Sequence, residues 1–260
     1  MAASNAQERR EAQRDAIRRQ REAELKRQRS IRTIVITAIV VVALLIAAGI
    51  GYLVWSANKP EGPAATPKGT SQEQPYYSLG APKDSGKPVV ELHVDFMCPV
   101  CGQFEKINGK DIRSIVDDKE ATVHLYTRRF LDSNSTTGDY STRAANAAAC
   151  VYNDDPDNFM DFQTALFDNQ PGEGTAGLSD DELAQYAQKA GAGKDVASCI
   201  DDGTYDRWVR EDVDPEAEKH EKADDAKGTP FIKVDEKVVG PGSWSKQGEV
   251  KKAVENAAKG

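Results

Sequence analysis

The chain has 260 residues, with 34 Lys and Arg against 42 Asp and Glu, for a net charge of -8. The imbalance is local: residues 1–33 hold ten basic and five acidic side chains, so this leader carries +5 and the remainder -13. An acidic body argues against nucleic-acid binding, and the basic leader lacks the aromatic or groove-reading element such binding needs.

Residues 34–55 are all apolar or small apart from Thr37 and Tyr52. As a helix this run would extend ~33 Å, about the thickness of a bilayer core. A cleaved signal peptide is the rival reading, but its apolar core is usually ~7–15 residues and its cleavage site needs small residues. Here Ile46 and Trp55 stand where the bonds after Ala48 and Ala57 would need a small side chain. The expectation is one membrane-spanning helix with the basic leader on the cytoplasmic side, which places everything after it outside the cytoplasm. The leader, with Asp15/Arg19 and Glu22/Lys26 at helical spacing and almost no apolar face, reads as a solvated helix. Residues 56–75 contain Pro60, Pro63, Pro67 and Pro75 among small polar residues, the composition of a flexible tether.

Order is expected from Tyr76. Residues 89–96 alternate, with Val90, Leu92, Val94 and Phe96 on one face, and predict a strand. Helix-forming sequence follows over 98–116, with a break expected near Gly109, and 122–128 predicts a second strand. Helices are predicted over 142–152, 159–169, 180–190, 195–200 and 207–226, the last kinked at Pro215. A hairpin over 231–239 and a helix over 247–258 close the chain. Strand-helix-strand, a helical block and then hairpin and helix define an α/β fold with an all-helical insertion at about 138–227.

The four cysteines are Cys98, Cys101, Cys150 and Cys199. Cys98-Pro99-Val100-Cys101 follows a strand and opens a helix, where unpaired backbone N–H groups and the helix dipole stabilise a thiolate on the first cysteine. Cys98 is the candidate nucleophile. Cys101, one turn further in, is placed to resolve a mixed disulfide formed on Cys98. A zinc site would need further ligands, and neither a second CxxC nor ligand spacing among His93, His124 and His220 supplies them; no metal or cofactor is expected. Cys150 and Cys199 stand singly in helical sequence. A structural disulfide between them would close a loop of about 50 residues and contribute ~4 kcal/mol; two free thiols are the alternative.

The run Asp95-Phe96-Met97-Cys98-Pro99-Val100-Cys101-Gly102-Gln103-Phe104-Glu105, with Gly228-Thr229-Pro230 far downstream, resembles the DsbA-like thioredoxin-fold family, in particular its membrane-anchored members in high-GC Gram-positive bacteria. The resemblance implies a thioredoxin fold with an inserted helical domain. It implies a cis Pro230 facing the cysteine pair, and substrate binding by Thr229 and Pro230 together with Pro99 and Val100. It also implies disulfide exchange with reduced exported proteins, and reoxidation by a quinone-linked thiol oxidase in the membrane.

Three residues depart from the family's most oxidising members. Val100 stands where they carry a histidine that stabilises the thiolate. Leu92 stands six residues before Cys98, where many carry a buried acid, so that only Glu91 or Asp95, read as solvated, could serve through water. Thr229 before the proline also occurs in reductases and isomerases of the family. Oxidase, reductase and isomerase readings stay open at this point, beside a tethered binding module without catalysis.

Overall fold

In a computed structural model of the chain, the described residues are 35–52 and 62–259, together with Lys26, Arg27 and Arg32. They fall into two units, divided near Gly62. Within the first, helix α1 (Val35–Tyr52) is long and apolar enough to cross a membrane. It exposes Ile39, Leu44 and Leu45, side chains that water disfavours and lipid accepts. Most of the predicted leader, the ends of the predicted span including Trp55, and tether residues 56–61 lie outside the described residues.

The second unit is built on a five-stranded sheet of order β1-β3-β2-β4-β5. Its elements up to the insertion are β1 (Tyr77–Gly80), β2 (Val89–Val94), α2 (Pro99–Asp117) and β3 (Thr122–Thr127). β2 and β3 run parallel, Leu92 beside Leu125, joined by α2 as the strand-helix-strand order requires. β1 is antiparallel to β3, with Tyr77 beside Leu125. This strand was not anticipated: four residues with only Tyr77 and Leu79 turned inward are too short to show a period. α2 runs unbroken through Gly109, where the space a side chain would take is filled by the Glu105 carboxyl, 2.7 Å from where a Cβ would sit.

The insertion holds α3 (Tyr140–Asp154), α4 (Phe159–Asp168), α5 (Asp180–Lys189), α6 (Val196–Asp201), α7 (Asp206–Trp208), a π-helical turn (Val209–Val213) and α8 (Asp214–Ala223). The chain then returns through β4 (Phe231–Val234), β5 (Lys237–Val238), α9 (Pro241–Trp244) and α10 (Glu249–Ala257). The irregularity expected at Pro215 is the π turn just before it, which leaves Pro215 in the first turn of α8, where its missing N–H has no partner to lose. α3 is buried nearly all round, and its Ala144, Ala145, Ala147, Ala148 and Ala149 let neighbouring helices approach closely. Within it Asn146 donates to the Ile200 carbonyl and accepts from the Tyr205 N–H, pinning α3 to α6 and α7. Cys150 and Cys199 form a disulfide that joins α3 to α6, Cα to Cα 5.9 Å. α5 starts with a reciprocal Ser179/Glu182 cap.

The tether reading needs correction for its carboxy-terminal half. Ala64 and Pro67 are buried, and the Lys68 N–H donates to Asn153 Oδ1 at 3.1 Å. A turn in which Thr70 bonds back to the Pro67 carbonyl closes this stretch, so small side chains and Pro lie flat on the domain.

Candidate active site

β2 ends at Val94, and the next residues turn into α2, whose N-cap is Cys98. That turn overrides the strand alternation. Asp95, expected on a solvated face, has no exposed surface: its carboxylate accepts from the N–H groups of Met97 and Leu131, each at 2.8 Å, and from the Ser141 hydroxyl at 2.7 Å. Burial pushes its pKa up to about 7, the three donors oppose the rise, and the negative charge of a Cys98 thiolate adds to it.

Cys98 and Cys101 are both unpaired thiols. Cys98 Sγ donates to the Thr229 carbonyl at 3.5 Å. A hydrogen bond from the Cys101 thiol, opposed by burial and helped by Thr229 and the N–H groups of Cys101 and Val100, brings the Cys98 pKa down to about 6. Cys101 is fully buried, and burial followed by the neighbouring sulfur drives its pKa well above the usual thiol value. The pair is therefore polarised: one thiol ionises readily at the helix start, while the other holds its proton in the core. Thr229-Pro230 is a cis peptide, and the buried Thr229 hydroxyl has no hydrogen-bond partner other than the two sulfurs, whose thiolates it favours. Pro99 and Val100 lie exposed between the cysteines, and Leu92 is wholly in the core.

Three supporting residues were invisible in the sequence. Gln170, just after α4, donates from Nε2 to the carbonyls of Phe96 and Cys98, at 3.1 and 2.8 Å, and so fixes the start of α2. Glu221 accepts from the Gly228 N–H at 3.2 Å and holds the loop before Pro230. Phe130, about half exposed, stacks against the point where a Gly228 side chain would begin, in a cleft of about 410 Å³ that also includes Arg128 and Lys227. Each partner is distant in sequence, and no local spacing advertises such pairs.

His93, two residues from both Glu91 and Asp95 on the same face of the predicted strand, is not solvated either. It is fully buried between Glu91 and Glu221, because α8 covers that side of β2.

The chain belongs to the thioredoxin family, whose pattern it matches over residues 75–256. Its structural neighbours are DsbA-type thiol-disulfide oxidoreductases. The reduced disulfide bond oxidoreductase DsbG of Mycobacterium tuberculosis is 29% identical with a TM-score of 0.56, over 69% of this chain and 83% of that one. Disulfide bond formation protein D of Bacillus subtilis is 28% identical over 183 residues, 68% of this chain and 76% of that protein. A segment of the serine/threonine-protein kinase PknE of Mycobacterium tuberculosis is 36% identical over 147 residues, 55% of this chain; the match spans only 26% of the kinase.

Proposed function

We propose that the chain is a membrane-anchored thiol-disulfide oxidoreductase that introduces disulfides into exported proteins through Cys98 and Cys101. The observation that carries this reading is the polarisation of the pair, Cys98 brought down to about 6 and Cys101 raised. A stabilised Cys98 thiolate favours the reduced pair, which makes the oxidised pair a disulfide donor.

In the proposed cycle a substrate thiolate attacks Cys98 Sγ of the Cys98–Cys101 disulfide. The bond between the two cysteines breaks, and Cys101 leaves as a thiolate that takes the proton of the Asp95 carboxylic acid, directly or through one water. A second substrate thiolate then attacks the substrate sulfur of the mixed disulfide and expels Cys98 as its stabilised thiolate. The substrate has lost two electrons, and the pair has gained them. Thr229, Pro230, Pro99 and Val100 would line the substrate backbone beside Cys98. A membrane quinone-linked thiol oxidase is the class of partner that would take the electrons away. α1 would hold the domain near it, with the leader in the cytoplasm by its Lys/Arg excess.

The test is the reduction potential of the full chain in detergent, together with recovery of a reduced multi-cysteine substrate. A potential well above the value of about -270 mV typical of thioredoxin, with recovery of native disulfides, supports the oxidase. A value near or below it assigns the reductase or isomerase direction. A second reading, a tethered binding module without catalysis, would require that Cys98→Ser leave the function in cells unchanged.

A further inference from the structure

Away from the thiols, β2 and α8 bring together a second cluster. Glu91 Oε1 lies 2.8 Å from His93 Nε2 and 2.9 Å from His220 Nδ1, and these three ligand atoms are all within 4.8 Å of one another. The far nitrogens of both rings meet carboxylates too: His93 Nδ1 faces Glu221 at 2.8 Å and His220 Nε2 faces Glu216 at 3.2 Å.

With both rings neutral, this arrangement does not balance in hydrogen bonds alone. A neutral imidazole carries one N–H, and a carboxylate only accepts. With each ring between two carboxylates, one nitrogen lone pair per ring is left pointing at oxygen lone pairs. If Nδ1–H of His93 donates to Glu221 and Nε2–H of His220 donates to Glu216, both surplus lone pairs converge on Glu91 Oε1. Three electron pairs then face one point.

We propose that Glu91, His93 and His220 form a binding site for one transition-metal dication of the zinc class. Two imidazole nitrogens and one carboxylate oxygen are a borderline donor set that selects zinc-like ions over calcium or magnesium. Tetrahedral bonds of ~2.0–2.1 Å need ligand atoms about 3.4 Å apart, so the two Glu91 contacts open by roughly half an ångström while the two ring nitrogens, within 4.8 Å of one another, draw together to admit the ion. The orienting partners are in place: each histidine is held through its other nitrogen by a carboxylate, the arrangement that fixes tautomer and ring plane in metal sites. Tyr126 and Phe231 wall the His93 ring at centroid distances of 4.6 and 4.8 Å, while the His220 side chain is one-third exposed and leaves an entry path and a fourth position for water. His124, the neighbour of Glu91 across the parallel pair, keeps a buried Nε2 without a partner beside the cluster. The bound ion braces α8 against β2, and α8 carries Glu221, which holds Gly228 ahead of the Thr229-Pro230 loop.

The experiment uses the full chain in detergent, stripped with chelator and oxidised so that Cys98 and Cys101 do not compete as thiolates. Equilibrium dialysis against zinc at neutral pH is expected to show one zinc per chain, and cobalt in its place a visible spectrum of nitrogen and oxygen ligation. His220→Ala and Glu91→Gln are each expected to weaken zinc at least ~100-fold, and Glu216→Gln, which within the cluster meets only the far nitrogen of His220, about tenfold. Zinc should raise the unfolding temperature of the wild type and not that of His220→Ala, whose metal-free transition verifies folding; His220→Gln stands in if the alanine variant does not fold. Substoichiometric binding at micromolar free zinc, or equal affinity in wild type and these variants, overturns the site and leaves doubly protonated imidazoles as the account of the cluster.

Discussion

The Cys98 thiol reaches the carbonyl of Thr229 at 3.5 Å, which ties the start of α2 to the loop before β4. These two residues lie on either side of the helical insertion in sequence, and the sheet makes them neighbours by placing β2 beside β4, Leu92 across from Ile232. The reactive sulfur thus sits against the loop that leads into β4.

The first prediction concerns ionisation of Cys98. Iodoacetamide alkylation of the reduced protein should rise with a midpoint near pH 6. A depressed thiol pKa adds to the stability of the reduced fold above the unfolded thiol value. That contribution fades as pH falls toward the folded value, so reduced protein should gain stability relative to oxidised between about pH 6 and 9. The Val100 side chain is exposed and offers no donor to the thiolate beyond the backbone N–H. Val100→His should lower the alkylation midpoint and raise the reduction potential by ~30 mV for each pKa unit. An unchanged potential would show that the ring does not reach the sulfur.

Asp95 should act in the opposite sense. Its folded pKa, about 7, lies above that of an unfolded aspartate, so the unfolded chain releases this proton first. Stability from this group is complete below about pH 4 and declines as pH rises through 7, by at most roughly 4 kcal/mol. Asp95→Asn should flatten that part of the denaturation profile. It should also slow exchange through Cys101 by about 100-fold, with the loss concentrated where the wild-type carboxyl still holds its proton. Slopes and rates unchanged from wild type would remove Asp95 from the proton path.

The element order was legible because α2 and the sheet strands carry clear periods, and the CxxC was legible because its chemistry is local. What stayed hidden depends on partners far along the chain. The strand expected over 89–96 carries its alternation two residues past Val94, where the backbone has already turned, and so puts Asp95 on the solvated face. Glu91 and His93 do alternate correctly, but the face they share is covered by α8, and only tertiary packing reveals that it meets His220. Gln170 lies in a loop with no periodicity, and β1 is too short to have one.

The bridge between Cys150 and Cys199 spans 49 residues of sequence and joins two helices of the insertion, far from the thiol pair in sequence. Replacing both with Ala should destabilise the fold by ~2–5 kcal/mol in chemical denaturation. Potential and alkylation midpoint of the folded fraction should stay as in the wild type. A shift in either would show that the insertion sets the electronics of Cys98 as well as its support.

Gly102 offers the last test, one that separates support from chemistry. It is buried in the first turn of α2, and a Cβ built there would lie 2.3 Å from Gln170 Oε1. Gly102→Ala must therefore push the amide aside, and the amide is what holds the carbonyls of Phe96 and Cys98. Helix propensity alone would favour Ala by ~1 kcal/mol, but overpacking and the lost hydrogen bonds should outweigh it, for a net loss of about 1–2 kcal/mol. Gln170→Ala removes the obstruction together with the same hydrogen bonds. The double variant should then lose less than the sum of the single ones, with a coupling of roughly 1 kcal/mol or more in urea denaturation. Additive losses would mean that the two side chains do not compete for one space. If Gln170 also aligns the helix start that lowers the Cys98 pKa, each single variant should move the alkylation midpoint upward, toward the ordinary thiol value.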